Sequence, residues 1–387
     1  MSVLTCATCR TFFPVESAAV ACVCGELLDV QLPAAPVERS LFDERRGLLG
    51  PLGRGWRFHE LVAPVLAEEE LHGLWEGDSP LRTDGRLARW TGVEELILKI
   101  EATNPTGQLL DRGVAAAVSV GIGLAAEVLI GVGGGALSHS LAQYAAAADH
   151  PCVILLAEGE GRQVASLRER GAHVLRVAAG LAEVEALAEQ AAPALGGRLI
   201  NARDPWFREG LKSAIFELLQ DQGWAPADWL VLPEVVPGLV GAAHKALEEA
   251  RGLGFIDELP HLLLVGAADS SAARLGGLLG GRPRLGVAGL RVERAIQATL
   301  GHRLGLSERE RGEAALAVRS VGLGCDEAGA AALGGLRKAR QAGIIGPGER
   351  AVVLITGLHR EVPIEGEAPF SAVVPPDVEG LIAALNQ

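Results

Sequence analysis

Short apolar runs, separated by segments of helical periodicity, constrain this chain more than any other feature. The runs Leu96–Ile100, Val128–Ile130, Val153–Leu156, Trp229–Leu232, Leu262–Val265 and Ala351–Ile355 are near-continuous stretches of Leu, Val and Ile. A strand wetted on one face alternates polar and apolar residues, whereas a continuous apolar strand is covered on both faces. Between the runs, "FREGLKSAIFELLQDQG" places Leu211, Ile215, Leu218 and Leu219 on one side of a helix. Strands alternating with helices predict an α/β fold with open parallel-type sheets and helices on both faces. A chain of 387 residues is too long for one ordinary domain. The expected division is a cysteine-bearing segment 1–32, a connector and start of a large domain over 33–95, a smaller α/β domain over 96–195, and the large α/β domain over 196–387.

Charge narrows the function classes. The formal net charge is −13, and binding a phosphate backbone needs a surplus of Lys and Arg, so no nucleic-acid role is expected. No stretch reaches the roughly 18 uninterrupted apolar residues of a membrane span, and "MSVLTCATCR" lacks the basic-then-apolar pattern of a signal peptide. The expected compartment is the cytoplasm, with no membrane contact.

In that compartment six cysteines do not read as a disulfide framework. Cys6 and Cys9 form a C-x-x-C pair, and Cys22 and Cys24 a C-x-C pair. Two close pairs on turns are how a zinc ribbon presents four thiolates, so structural zinc is expected, against a metal-free remnant. Cys152 and Cys325 sit in apolar surroundings and read as core residues. "SERERGE" reads as a solvated helix start capped by Ser307. "VERSLFDERRG" reads as an exposed connector, in which Phe42 is a possible partner contact.

Several segments, in order, resemble threonine synthase within the fold type II family of pyridoxal-phosphate (PLP) enzymes. "WEGDSPL" (Trp75–Leu81) is similar to G-E-G-x-T-P-L, and "NPTGQLLDRG" (Asn104–Gly113) to N-P-T-G-S-F-K-D-R-G. "SHSLAQYAAAA", "NARDPWFREGLKSAIFEL", "GLGCDEAGAAALGGL" and "VVLITG" resemble later family segments. The resemblance implies a two-domain architecture, a homodimer and a cofactor held by a lysine. The lysine's position falls on Leu110, which has no nucleophile, and is preceded by Leu109. Only four of the 35 basic residues are Lys: Lys99, Lys212 and Lys245, which match other family positions, and Lys338, which reads as a surface charge.

Two further contacts implied by the resemblance are also altered. The family's glycine-rich phosphate turn reads Glu234-Val235-Val236-Pro237-Gly238, with an acidic side chain, β-branched residues and a proline that removes an N–H donor. The asparagine that meets the cofactor's ring hydroxyl falls on Ala136, while Thr356 remains where the pyridine nitrogen is contacted. Together these predict a pseudoenzyme that does not bind PLP and acts by binding a protein partner or small ligand. Leu109, Leu110, Val235 and Val236 are expected to line its former cofactor cleft. Two alternatives stay open. One is a divergent enzyme with a nucleotide loop at Gly131, Gly133 and Ala136, Glu158 meeting a ribose, and His139 as helix cap or acid–base group. The other is a PLP-binding lyase that uses an unusual mode.

Overall fold

A computed structural model describes residues 3–32, 37–160, 163–268, 287–358 and 373–385. Three sheets organise them. β1 (Val3–Cys6), β2 (Phe12–Phe13) and β3 (Leu28–Gln31) form a small antiparallel sheet in the order β2-β1-β3. A six-stranded sheet runs β12-β11-β10-β13-β5-β4. Its strands are β4 (Leu81–Thr83), β5 (Glu95–Ile100), β10 (Trp229–Pro233), β11 (His261–Ala267), β12 (His302–Leu306) and β13 (Arg350–Ile355). A five-stranded sheet runs β14-β8-β7-β6-β9, from β6 (Val128–Val132), β7 (Cys152–Leu156), β8 (His173–Val177), β9 (Gly197–Leu199) and β14 (Val373–Val374). Both larger sheets are parallel except where β4 meets β5.

The helices that matter below are α1 (Leu110–Gly123), α2 (Ala136–Ala147), α3 (Val164–Glu169), α4 (Pro205–Asp221), α5 (Leu239–Gly252), α6 (Val287–Ala298), α7 (Glu308–Ser320) and α8 (Glu327–Gln341). Ser307 caps α7 reciprocally with Glu310, as the sequence predicts. The continuous apolar strands are explained by the cores they serve. Along β10, Leu230 and Leu232 enter one core with α4 and α5, while Trp229 and Val231 enter a second with α8. Burying alternate residues on opposite faces is what a sheet covered on both sides requires.

The sheet order corrects the expected boundaries. The division at residue 96 falls inside β5, which pairs with β13 and β4, so the strand belongs to the larger sheet. The smaller unit is built on β6 to β9 and is completed by β14, which returns to pair with β8. The connector is corrected as well. Residues 33–36 at its start lie outside the described residues, but Phe42 is fully buried, with ring centroids 5.1 Å from Phe58 and 5.9 Å from Phe255. It is a core anchor, because its ring fills a cluster of aromatic side chains. Among the described residues no helix is long and apolar enough to cross a membrane.

Candidate functional site

The loop before α1 is held by its own polar residues. Thr106 donates through its backbone N–H (2.7 Å) and its hydroxyl (2.5 Å) to Asp111, and Ser140 of α2 donates to the same carboxylate at 2.6 Å. Leu109 N–H donates to Thr356 O at 2.8 Å, and Leu358 N–H to Gly107 O at 2.9 Å. These bonds pin the loop to the end of β13, bury Leu109 and set Leu110 at the start of α1. Arg112 fixes the next turn. Its guanidinium meets Glu101 at 2.7 Å and Glu217 at 2.9 Å, all three side chains being fully buried. Burial alone would raise Glu217, but the charges of Arg112, Lys99 and Arg57 outweigh it and hold the carboxyl well below its usual range.

Leu110 faces a cleft of about 600 Å³, counting its open mouth. The other walls are Val132, Gly133 and the Gly135–Ser138 start of α2, the segment Ile200–Ala202, Pro237, and Leu181 with the acidic Glu160 and Glu185. Of the four apolar residues expected to line it, only Leu110 does. Leu109 and Val236 are packed into the core and Val235 is half-buried away from the walls, because the turn closes with Leu239 N–H on Val236 O before Gly238 (φ +77°) starts α5. Glu234 turns from the cleft and pairs with Arg303 of β12 through both oxygens. Thr356 donates to Asp326 at 2.9 Å, and burial pushes the Asp326 carboxyl up. Its hydroxyl thus serves the N-cap of α8.

The lysines are all engaged outside this cleft. Lys99 is buried on Glu217 (2.6 Å), Asp221 (2.8 Å) and Ser79 O (2.6 Å). Lys212 meets Glu209 and Glu249, each at 2.6 Å, and Lys245 meets Glu209 and Val30 O. Lys338, expected to be a solvated charge, keeps a side chain 38% exposed and also bridges Gly305 O (2.9 Å) and Glu310 (3.0 Å).

The glycine loop has a different acidic partner from the one expected. Glu158 is exposed and absent from the cleft wall. Glu160, which the sequence reading missed, accepts from Gly134 N–H (3.2 Å) and Ala157 N–H (2.9 Å). Its carboxylate occupies a donor that a pyrophosphate would need. Gly131 packs closely, since a Cβ there would lie 2.6 Å from the end of the Ile154 side chain, which would have to shift, while Gly133 supplies the φ of +82° that turns the chain. His139 bonds Gly135 O (3.0 Å) and Ser166 Oγ (2.7 Å), tying α2 to α3.

The second constellation is the cysteine cluster. Sulfurs of Cys6, Cys9, Cys22 and Cys24 all lie within 4.8 Å of one another, with Cys6–Cys24 at 3.5 Å and Cys9–Cys22 at 3.4 Å. Tetrahedral ligands about 2.3 Å from a zinc ion are separated by slightly more than this, so four soft thiolates here fit a metal. Hydrogen bonds from Thr11 lower the Cys9 thiol to about 6, whereas the Cys24 thiol is pushed up to about 12, the thiols around it outweighing its backbone bond near Glu26.

With this geometry in place, known proteins give the frame. The sequence model of the family described as "Pyridoxal-phosphate dependent enzyme" matches residues 73–357. The chain belongs to that family. It is 28% identical to threonine synthase of Methanocaldococcus jannaschii, over 91% of each chain. It is 30% identical to threonine synthase of Methanosarcina acetivorans, over 78% of each. Among solved structures it is similar in fold to threonine deaminase isoform 2 from Solanum lycopersicum, with a TM-score of 0.62 and 14% identity, covering 85% of this chain and 88% of that one. Maize serine racemase gives a TM-score of 0.60 at 14% identity, covering 84% and 95%. The chain is thus a threonine synthase-like member of the fold type II PLP family.

Against this frame the cleft of the family member does not fit a lysine-held cofactor. Imine formation needs an amine, and each of the four lysines of the whole sequence is bound to carboxylates or carbonyls elsewhere.

Proposed function

We propose that this threonine synthase-like chain is a pseudoenzyme that has given up PLP catalysis and acts by binding a small ligand or a partner protein. The observation that supports this reading most directly is Leu110, a buried leucine at the start of α1 on the cleft wall, where the family's lysine is expected. The engagement of the Thr356 hydroxyl by Asp326 and of Gly134 N–H by Glu160 supports it further. The same carboxylate weighs against a dinucleotide at the glycine loop. A homodimer belongs to the reading, supported by the exposed apolar Leu49 and Trp75 on loops joined through Arg54. So does a cytoplasmic location.

The full-length likeness to threonine synthases favours a second reading, in which PLP still binds and reacts. Titration of the purified protein with PLP separates the two. The pseudoenzyme gives no imine absorption band and no rise in melting temperature, since a ligand specific for the folded state must raise it. A band that borohydride fixes onto a lysine sinks the pseudoenzyme reading.

We also propose that Cys6, Cys9, Cys22 and Cys24 hold structural zinc. The all-thiolate donor set supports this, and a closed four-ligand site leaves no open position for chemistry. Elemental analysis is expected to find about one zinc per chain, and Cys9→Ser is expected to lose it. A metal-free protein isolated from zinc-supplemented cells argues against the site.

A further inference from the structure

Several side chains join the cysteine sheet to the body of the molecule, and one of them, Arg208, also contacts residues that adjoin two walls of the cleft. Cys6 stands opposite Leu28 in the β1–β3 register, so a metal held by Cys6 fixes the position of Leu28. Leu28 O accepts from the Arg208 Nη2 of α4. The same guanidinium donates through Nη1 to Arg203 O at 2.6 Å. Residue 203 follows directly on Asn201 and Ala202, which line the cleft, and Arg203 N–H donates to Asn201 Oδ1 at 2.8 Å. The aliphatic stem of Arg208 lies under the other wall. A Cβ at Gly238 would come 3.1 Å from Arg208 Cγ, and Gly238 follows Pro237 of the cleft.

The neighbouring contacts keep this link taut. Arg291 of α6 donates to Leu27 O (2.7 Å), Asp29 (2.7 Å) and Glu26 (3.0 Å), and Lys245 of α5 to Val30 O (2.5 Å). Three successive helices thus hold the last strand of the cysteine sheet, and only Arg208 among these contacts continues to the cleft. Arg208 itself is 5% exposed. The guanidinium also lies 3.5 Å from the Asp29 carboxylate of β3, so a shift of that strand moves its carbonyl and carboxylate partners together, and a buried charge that loses partners must find others or move.

We infer that Arg208 is a positioning residue that makes the shape of the cleft depend on metal loading of the four-cysteine site. This rests on the zinc reading above. With metal bound, Cys6 and Leu28 are fixed, Arg208 is held between Leu28 O and Arg203 O, and the 201–203 and 236–238 walls keep their spacing. Without metal, Leu28 O is released from its register and both walls loosen together. The device ties ligand binding in the cleft to zinc availability, although the two sites share no residue.

Hydrogen–deuterium exchange on the full chain tests this, comparing the zinc-loaded protein, the same protein after chelation, Cys24→Ser, and Arg208→Met. In the wild type, chelation is expected to raise exchange in β1–β3 and, by about tenfold, in the amides of residues 201–204 and 236–242. Strand β7 serves as an unaffected control. Cys24→Ser should reproduce the effect without a chelator. In Arg208→Met the two cleft segments should exchange fast even with zinc bound, and chelation should then change only β1–β3. If chelation loosens β1–β3 while 201–204 and 236–242 stay protected, the coupling is wrong and the zinc site stands. If no zinc binds, both fall. Should Arg208→Met fail to fold, the wild-type and Cys24→Ser arms decide alone.

Discussion

Replacing Arg112 by methionine is expected to destabilise the protein by about 3–5 kcal/mol, the range for removing one partner of a buried ion pair. Arg112 is the positive centre of a cluster that contains Glu101 and Glu217, with Lys99 and Arg57 around the second carboxylate. Methionine keeps much of the volume but leaves Glu101 without its cation. Arg112→Lys restores charge without the fork geometry and should fall between the two. Urea midpoints measure the series. The pH dependence carries a second signature. Glu217 is held below its unfolded value, so its contribution is fully present above the unfolded carboxylate range near pH 4.3 and is lost as pH falls through the folded value. The wild type should therefore lose stability on acidification below about pH 4 more steeply than Arg112→Met. A methionine variant within about 1 kcal/mol of wild type would show that Lys99 and Arg57 suffice.

This cluster also marks how far the sequence could be read. The strand positions and the two-sided burial follow from local apolar runs, and β10, β11 and β13 lie where those runs place them. Strand partners are another matter. Nothing in Leu96–Ile100 says that it pairs with residues 350–355 rather than with the strand that follows it, because pairing is a long-range choice. The same limit hid Phe42, whose polar neighbours suggest a surface while its ring packs on Phe255, more than 200 positions away.

At the cleft, the residue types were legible and their directions were not. Leu110 lines it, Leu109, Val235 and Val236 do not, and Pro237, read from the sequence only as a lost N–H donor, stands on the wall. Glu234 was legible as a charge at the turn, but its pairing with Arg303 depends on β12 lying next to β11. Glu158 and Glu160 are indistinguishable as acidic residues after a strand. Only the return of the loop toward Gly134 selects Glu160. Arg208 carried no sequence signal, since its acceptors Leu28 O and Arg203 O are backbone groups and its carboxylate partner Asp29 lies far away in the chain.

Gly210→Ala should cost about 3 kcal/mol, the upper end of the range for overpacking. Helices α1 and α4 cross with backbone against backbone. A Cβ on Gly210 would stand 2.3 Å from Arg112 O, 2.7 Å from Gly113 Cα and 2.8 Å from Ala116 Cβ. None of these atoms is the end of a flexible chain, so the helices must move apart. That movement lengthens the Arg112–Glu217 pair, because one partner rides on each helix. The gain of up to about 1 kcal/mol for alanine over glycine in a helix opposes the loss but does not cancel it. Gly113→Ala meets Phe207 at 2.7 Å from the other side of the same contact. Its cost should not add fully to that of Gly210→Ala, since helices already displaced accept the second methyl more easily. Gly312→Ala is the control: nothing lies within 4 Å of a Cβ there, and it should be neutral or slightly stabilising. Thermal and urea unfolding of these three variants and of the Gly113→Ala/Gly210→Ala double variant decide the matter. Full additivity of the two alanines would mean that the helices do not move as a unit, and a Gly210→Ala protein as stable as Gly312→Ala would mean that α1 and α4 are not in contact through this glycine.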